Sequence, residues 1–220
     1  MDDKIMVIRL KDYAGWISIA VFILTLAISL VIILTPLYSL TAQALHLAEN
    51  LGMSHEALME NYHILIQYLN FPWIEQLNMP DFPSSTSGLF HFYEVKRLFM
   101  INYILLLVSA VASYRYIASI RKRQNYLPLN HFFKWGSVVP LILVILLVLN
   151  FDWLFLTFHQ LLFNNDAWIF NPVTDPIILA LPQEFFMVCF AFVFIFIELV
   201  FISGYFLTKR KIKERRKRTD

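Results

Sequence analysis

Residues 185–207 read FFMVCFAFVFIFIELVFISGYFL, and residues 208–220, which follow, read TKRKIKERRKRTD. The first stretch is about the 20 residues that a helix needs to cross a ~30 Å hydrocarbon core, and the second is a block of positive charge that cannot enter it. Three further apolar runs lie N-terminal to this one, at 14–35, 98–117 and 132–151. The expected fold is therefore an all-α membrane protein, a four-transmembrane-helix bundle forming one integral membrane domain over residues 1–220, with both termini on the same side.

Lys and Arg assign the sides. Lys4, Arg9 and Lys11 precede the first run, and Arg115, Arg121, Lys122, Arg123 and Lys134 surround the connection between the second and third. Lys209, Arg210, Lys211, Lys213, Arg215, Arg216, Lys217 and Arg218 follow the fourth, so only Lys96 and Arg97 of the 18 basic residues remain for the opposite side. By the positive-inside rule, segments 1–13, 118–131 and 208–220 are cytoplasmic, and 36–97 and 152–184 face outward. Those two outward segments are expected to form an extracytoplasmic cap containing short helices.

With 59% hydrophobic and 16% aromatic residues, the chain has more apolar surface than a soluble domain of 220 residues encloses. A basic tail directly after an apolar span rests on anionic headgroups, so membrane lipids rather than nucleic acid are its expected partners. Cys189 is the single cysteine and allows no intramolecular disulfide. The first apolar run, although followed by Ala42-Gln43-Ala44, is longer than a removable signal h-region and reads as a retained anchor.

Within 36–97, the residues Leu58, Tyr62, Leu65, Ile66 and Leu69 recur at helical spacing after Ser54, a suitable N-cap, and Pro72 ends the pattern. This amphipathic helix is expected to lie on the membrane surface or to cap the bundle. A turn-rich stretch containing Pro80, Pro83 and Gly88 leads back into helix near Leu89. In 152–184, Trp153, Phe155, Phe158, Phe163, Trp168 and Phe170 alternate with Asp152, His159, Asn164, Asn165 and Asp166, a mixture that favours the outer headgroup layer.

Five of the six histidines, His46, His55, His63, His91 and His159, lie in the outward segments. His91 precedes the second run, and His159 follows the third, by about eight residues each. If both helices continue outward, each imidazole rises roughly 12 Å above the hydrocarbon edge. Two imidazoles at one depth can act as base and hydrogen-bond donor in acyl chemistry at the level of lipid esters. Glu94 at i+3 from His91 and Asp152 at i+7 from His159 are the candidate supporting carboxylates. His63 reads as a solvated face residue, and His46 and His55 have no partner at a telling distance in sequence. Glu198, deep in the fourth run, is expected to be protonated or paired, since a charge there costs at least ~2.5 kcal/mol.

Two alternatives stay open on the residues alone. One is a metal-dependent membrane hydrolase using His91, Glu94 and His159 as two histidines and a carboxylate. The other is a non-enzymatic protein that grips a lipid or partner through its aromatic outer segments. There is no Gly-rich phosphate loop, G-x-S-x-G, H-E-x-x-H or C-x-x-C, and nothing singles out a nucleophile among Ser84, Ser85 and Ser87.

The blocks SGLFHFYEVK at 87–96 and FHQLLFNNDAW at 158–168, with Asn171-Pro172, Asp175-Pro176 and LPQEFF at 181–186, resemble those of the bacterial lipoprotein intramolecular transacylases, the Lit family. The resemblance extends over nearly the whole chain. It implies a cofactor-free, metal-free enzyme of the bacterial cell membrane acting on diacylglyceryl-modified lipoproteins, whose sn-2 acyl chain moves to the α-amino group of the same cysteine to give the lyso form. His91 and His159 would be catalytic, as base and donor in either order. Lys96 and Arg97 would meet headgroup phosphates or close the site, and Trp168 would shape a pocket wall. Glu94 stands where an acidic residue, often Asp, is expected.

Overall fold

A computed structural model describes the backbone of residues 2–219 and the side chains of residues 10–217; Lys4, Arg9 and Arg218 lie outside the described side chains. Among the described residues there is helix and no strand. The order is α1 (Asp2–Ile33), α2 (Thr35–Ala44), α3 (Leu47–Asn50), α4 (His55–Asn70), α5 (Thr86–Arg123), α6 (Leu127–Gly136), α7 (Val138–Leu149), α8 (Phe151–Leu162), α9 (Ile177–Ala180) and α10 (Gln183–Thr219). Four stretches are long and apolar enough to cross a membrane: Leu10–Ile33, Thr86–Arg123, Leu127–Leu149 and Gln183–Lys217.

The helix boundaries have local causes. Pro36 cannot donate to a preceding turn, so α1 ends at Ile33 and α2 restarts with the proline in its first turn. Ser54 caps α4, its Oγ accepting from the Ala57 N–H at 3.1 Å. Phe71, which precedes Pro72, is extended and stops that helix. The third apolar run departs from a single continuous helix. Asn150 has φ −158 and its side chain accepts from the Trp153 N–H, so α7 ends and α8 begins under a new cap. The expectation that His159 rides on an unbroken extension of the third span is thereby corrected.

The chain forms two compact units. The first comprises the residues up to Ser29, Tyr103–Ile145 and those from Phe192 on. Its core gathers Ile19, Ile23, Tyr116, Ile120, Leu129 and Phe201. Close helix approach here uses small-against-large contacts: a Cβ at Gly136 would lie 2.0 Å from the Phe201 ring, and one at Gly204 would lie 2.6 Å from the Phe133 ring. Asn130 Nδ2 donates to the Tyr205 carbonyl and to Thr208 Oγ1. Asp12 accepts from the Tyr116 hydroxyl and pairs with Arg123. Glu198 Oε2 is buried with no hydrogen-bond partner.

The second unit comprises Leu30–Asn102 and Leu146–Ala191. Its core is built on Tyr38, Leu58, Tyr62, Leu65, Phe82, Phe92 and Phe185. Tyr38 stacks on Tyr62 at 3.8 Å and donates its hydroxyl to the Ala180 carbonyl at 2.9 Å, which satisfies a group that burial would otherwise penalise. Asn61, fully buried on α4, donates to Asp81 Oδ2 and accepts from the Asp81 N–H, which pins the irregular chain after Pro72 to the helix. Losing one side of such a buried pair costs about 1–3 kcal/mol.

Candidate active site

His91 and His159 come together within the second unit, their ring centroids 6.0 Å apart and their planes inclined by 35°. At that spacing the rings do not stack, yet a substrate group of a few atoms between them can reach a nitrogen of each at the usual ~2.7–3.2 Å.

His91 projects from the N-terminal part of α5, seven residues before the apolar stretch that begins at Leu98, and is only 8% exposed. Phe163 and Phe170 meet its ring edge to face at 4.7 and 5.5 Å. Its Nδ1 is buried with no hydrogen-bond partner in the protein. A polar atom left in this state is costly unless a ligand supplies the partner.

His159 stands near the end of α8. Its Nδ1 is 2.8 Å from the Phe155 carbonyl oxygen. That oxygen can only accept, so Nδ1 carries the proton and Nε2 holds the free lone pair. Phe155 at 4.3 Å and Trp168 at 4.9 Å flank the imidazole. Burial lowers the pKa of His159 and the bond to Phe155 raises it, the net change being downward. The ring is therefore held neutral and able to accept a proton at neutral pH.

The carboxylates expected behind the histidines are engaged otherwise. Both Glu94 oxygens accept from Asn165 Nδ2, at 3.0 and 3.1 Å, and not from His91. Asp152 lies exposed in the first turn of α8, where its charge suits the helix N-terminus. Seven residues, about 10 Å of helix rise, separate it from His159, whereas the Phe155 carbonyl is one turn away. Lys96 is buried rather than offered to a headgroup, with Nζ donating to the Ile74 carbonyl at 2.5 Å and lying 4.4 Å from the Tyr68 ring centroid. Arg97 is exposed, 6.0 Å from the Tyr93 ring. Trp168 lies against His159 and donates its Nε1–H to the Asn165 carbonyl at 2.9 Å.

Several contributors were not singled out by the sequence reading. Asp175 is 3% exposed; its Oδ1 accepts from the Ser85 N–H at 2.8 Å and its Oδ2 from Thr174 Oγ1 at 2.7 Å. Ser85 Oγ in turn accepts from the Gly88 N–H at 3.0 Å and caps α5, nearly two turns before His91. The Asn-rich stretch after α8 was the available signal for Asn165, and Asp175-Pro176 for the strap that Asp175 forms across the start of α5 by accepting the Ser85 N–H. Among the described residues, no group of three or more His, Cys, Asp or Glu side chains is arranged to hold a metal ion. His55 and His46, given no partner from sequence spacing, lie 3.1 Å from Ser39 Oγ and 3.3 Å from Glu49 Oε2, beside a concavity of about 500 Å³ that contains neither His91 nor His159.

The fold is that of an all-helical integral membrane protein, within which the buried imidazole of His91 faces the half-buried one of His159. The family model described as "Lipoprotein intramolecular transacylase Lit" matches residues 13–186, and the chain belongs to the Lit family. A solved structure of the membrane-integral lipoprotein intramolecular transacylase Lit from Bacillus cereus is 31% identical, with a TM-score of 0.89 over 95% of this chain and 97% of that one. Structures of the same protein with a histidine replaced by arginine or by alanine, each 31% identical, align with TM-scores of 0.82 over 95% of this chain and 93% and 95% of theirs. A comparison with curated proteins gave no match.

Proposed function

We propose that this chain is a lipoprotein intramolecular transacylase that transfers the sn-2 acyl chain of a diacylglyceryl-cysteine to the α-amino group of that cysteine, yielding the lyso-form lipoprotein. Membership of the Lit family supports the reaction class. The observation that carries the assignment of residues is the facing pair, one ring with a free Nε2 lone pair and the other with an unpartnered buried nitrogen, 6.0 Å apart.

The neutral amine attacks the sn-2 carbonyl carbon, so that a C–N bond forms and the carbonyl electrons move to oxygen. His159 Nε2 takes the amine proton. A His91 N–H donates to the oxyanion as it develops. The intermediate collapses with cleavage of the carbon–oxygen bond, and His159 returns the proton to the departing glyceryl oxygen. No enzyme nucleophile is required, because both reacting groups belong to one molecule. Holding amine and ester in register supplies up to about 7–11 kcal/mol of the barrier.

Segments 36–97 and 152–184 form an outer cap with the site at the outer leaflet, and both termini are cytoplasmic, as the distribution of Lys and Arg implies. Membrane lipids bathe the spans and supply the medium through which the diacylglyceryl substrate arrives. Replacing His91 or His159 with Asn in a host that makes diacylglyceryl lipoproteins tests the reading. The expected outcome is a fall in lyso-form product of about a hundredfold or more, read on the lipoprotein N-terminus by mass spectrometry. Undiminished product from both variants overturns it.

A further inference from the structure

The Asn165 side chain is fully committed. Its Nδ2 donates to both Glu94 oxygens, its Oδ1 accepts the Ala167 N–H at 2.9 Å, and its backbone carbonyl accepts the Trp168 Nε1–H at 2.9 Å. These bonds leave the amide one orientation, since a carboxylate cannot donate to an amide oxygen and a backbone N–H cannot accept from an amide nitrogen. Trp168, held in this way, lies within 4.9 Å of His159 at 30° and faces it. The other end of the chain of bonds, Glu94, sits three residues after His91 on the same helix.

We propose that Glu94 and Asn165 are positioning residues for acyl transfer: the carboxylate on the His91 helix clamps the loop after α8, and through Trp168 it fixes the ring of His159 relative to His91. Neither residue touches the reacting atoms. The clamp sets the direction of the Nε2 lone pair and the spacing of the two imidazoles, and a misplacement of about 1 Å at such a site costs about a hundredfold in rate. Glu94 is thus a support of the base across the site rather than of the histidine one turn away. The proposal rests on the reading of His91 and His159 as the reacting pair.

Its test exchanges donor and acceptor. Asn165→Asp opposes two carboxylates at about 3 Å and breaks the clamp, whereas Glu94→Gln combined with Asn165→Asp restores one bond with its polarity reversed, the Gln amide donating to the Asp carboxylate. Lyso-form production is measured on purified full-length variants in liposomes with a diacylglyceryl lipopeptide. Asn165→Asp is expected to lose at least about tenfold in kcat with KM little changed, and the double variant to recover to within about threefold of Glu94→Gln alone.

Asn165→Ala, which opens the Trp168 wall to water, should also move the acid limb of the pH–rate profile upward toward the ordinary imidazole range. His91 is the titratable group facing His159; Asp152 is exposed two turns away on α8. A role in folding alone would lower the active fraction and leave that limb in place. Full activity of Asn165→Asp, or a folded double variant no better than it, overturns the proposal. If Asn165→Asp does not fold, the double variant decides, its activity supporting the clamp and a folded, inactive protein refuting it. Wild-type protein without lyso-form product, or a fully active His159→Asn variant, refutes the function assigned above and is read separately.

Discussion

At the scale of single residues, the base we propose, His159, sets the expected response to pH. A base must be neutral to accept the amine proton, and burial holds this imidazole below its ordinary value against the smaller opposing pull of the Phe155 carbonyl. Because its folded pKa is lowered, the active form persists as pH falls and is lost only below the range of a free imidazole, about 6.5. Expressed per unprotonated substrate amine, whose own pKa is about 7.7–8.0, the rate of lyso-form production in liposomes is therefore expected to stay flat on descending from neutral pH to about 6.5 and to decline below it. Half-maximal activity at or above that point contradicts a buried base. The similar depth of the two histidines was legible in the sequence from their like distance to the apolar runs, whereas their approach to 6.0 Å was not. The partners of the two candidate carboxylates were not legible either. Helical spacing places Glu94 near His91 on one surface, but a residue 71 positions later, Asn165, competes for the same oxygens and offers two contacts to one amide.

At the scale of elements, the site depends on how the start of α5 is held. Asp175 reaches the Ser85 N–H, Ser85 caps the helix, and Gly88 leaves the space that the Asp175 carboxylate occupies. A Cβ at Gly88 would meet Asp175 Oδ1 at 2.1 Å, so the carboxylate must leave its two donors. Gly88→Ala should lower the thermal unfolding temperature in detergent and reduce transfer about tenfold or more, since the displaced cap lies less than two turns from His91. Retention of both properties would show that the strap does not position the helix. The amphipathic α4, its Ser54 cap and its stop before Pro72 followed from local rules that neighbouring chain cannot easily override. The separation of α7 from α8 did not, because Asn150 at the end of an apolar run reads equally as a polar terminus and as a cap. Only the geometry of the Trp153 N–H on its side chain decides between them.

At the scale of the whole molecule, the four spans and the charges beside them were the most legible feature, because the cost of burying an ion in hydrocarbon leaves few arrangements of this sequence. The orientation we propose rests on the same term. Eight basic residues follow the fourth apolar run, while Lys96, one of the two basic residues expected outside, is buried against the Ile74 carbonyl. Segments 36–97 and 152–184 thus present Arg97 as their one exposed Lys or Arg side chain among the described residues. This arrangement makes a specific prediction for labelling. In a Cys189→Ser background, Asp166→Cys should react with a membrane-impermeant maleimide added to intact spheroplasts, and Gln124→Cys should react only after lysis. Asp166 and Gln124 are both exposed, so protection reports sidedness rather than burial. Labelling of the second cysteine in intact cells, with the first protected, would invert the protein in its membrane and place the histidine pair on the side opposite to lipoproteins awaiting modification.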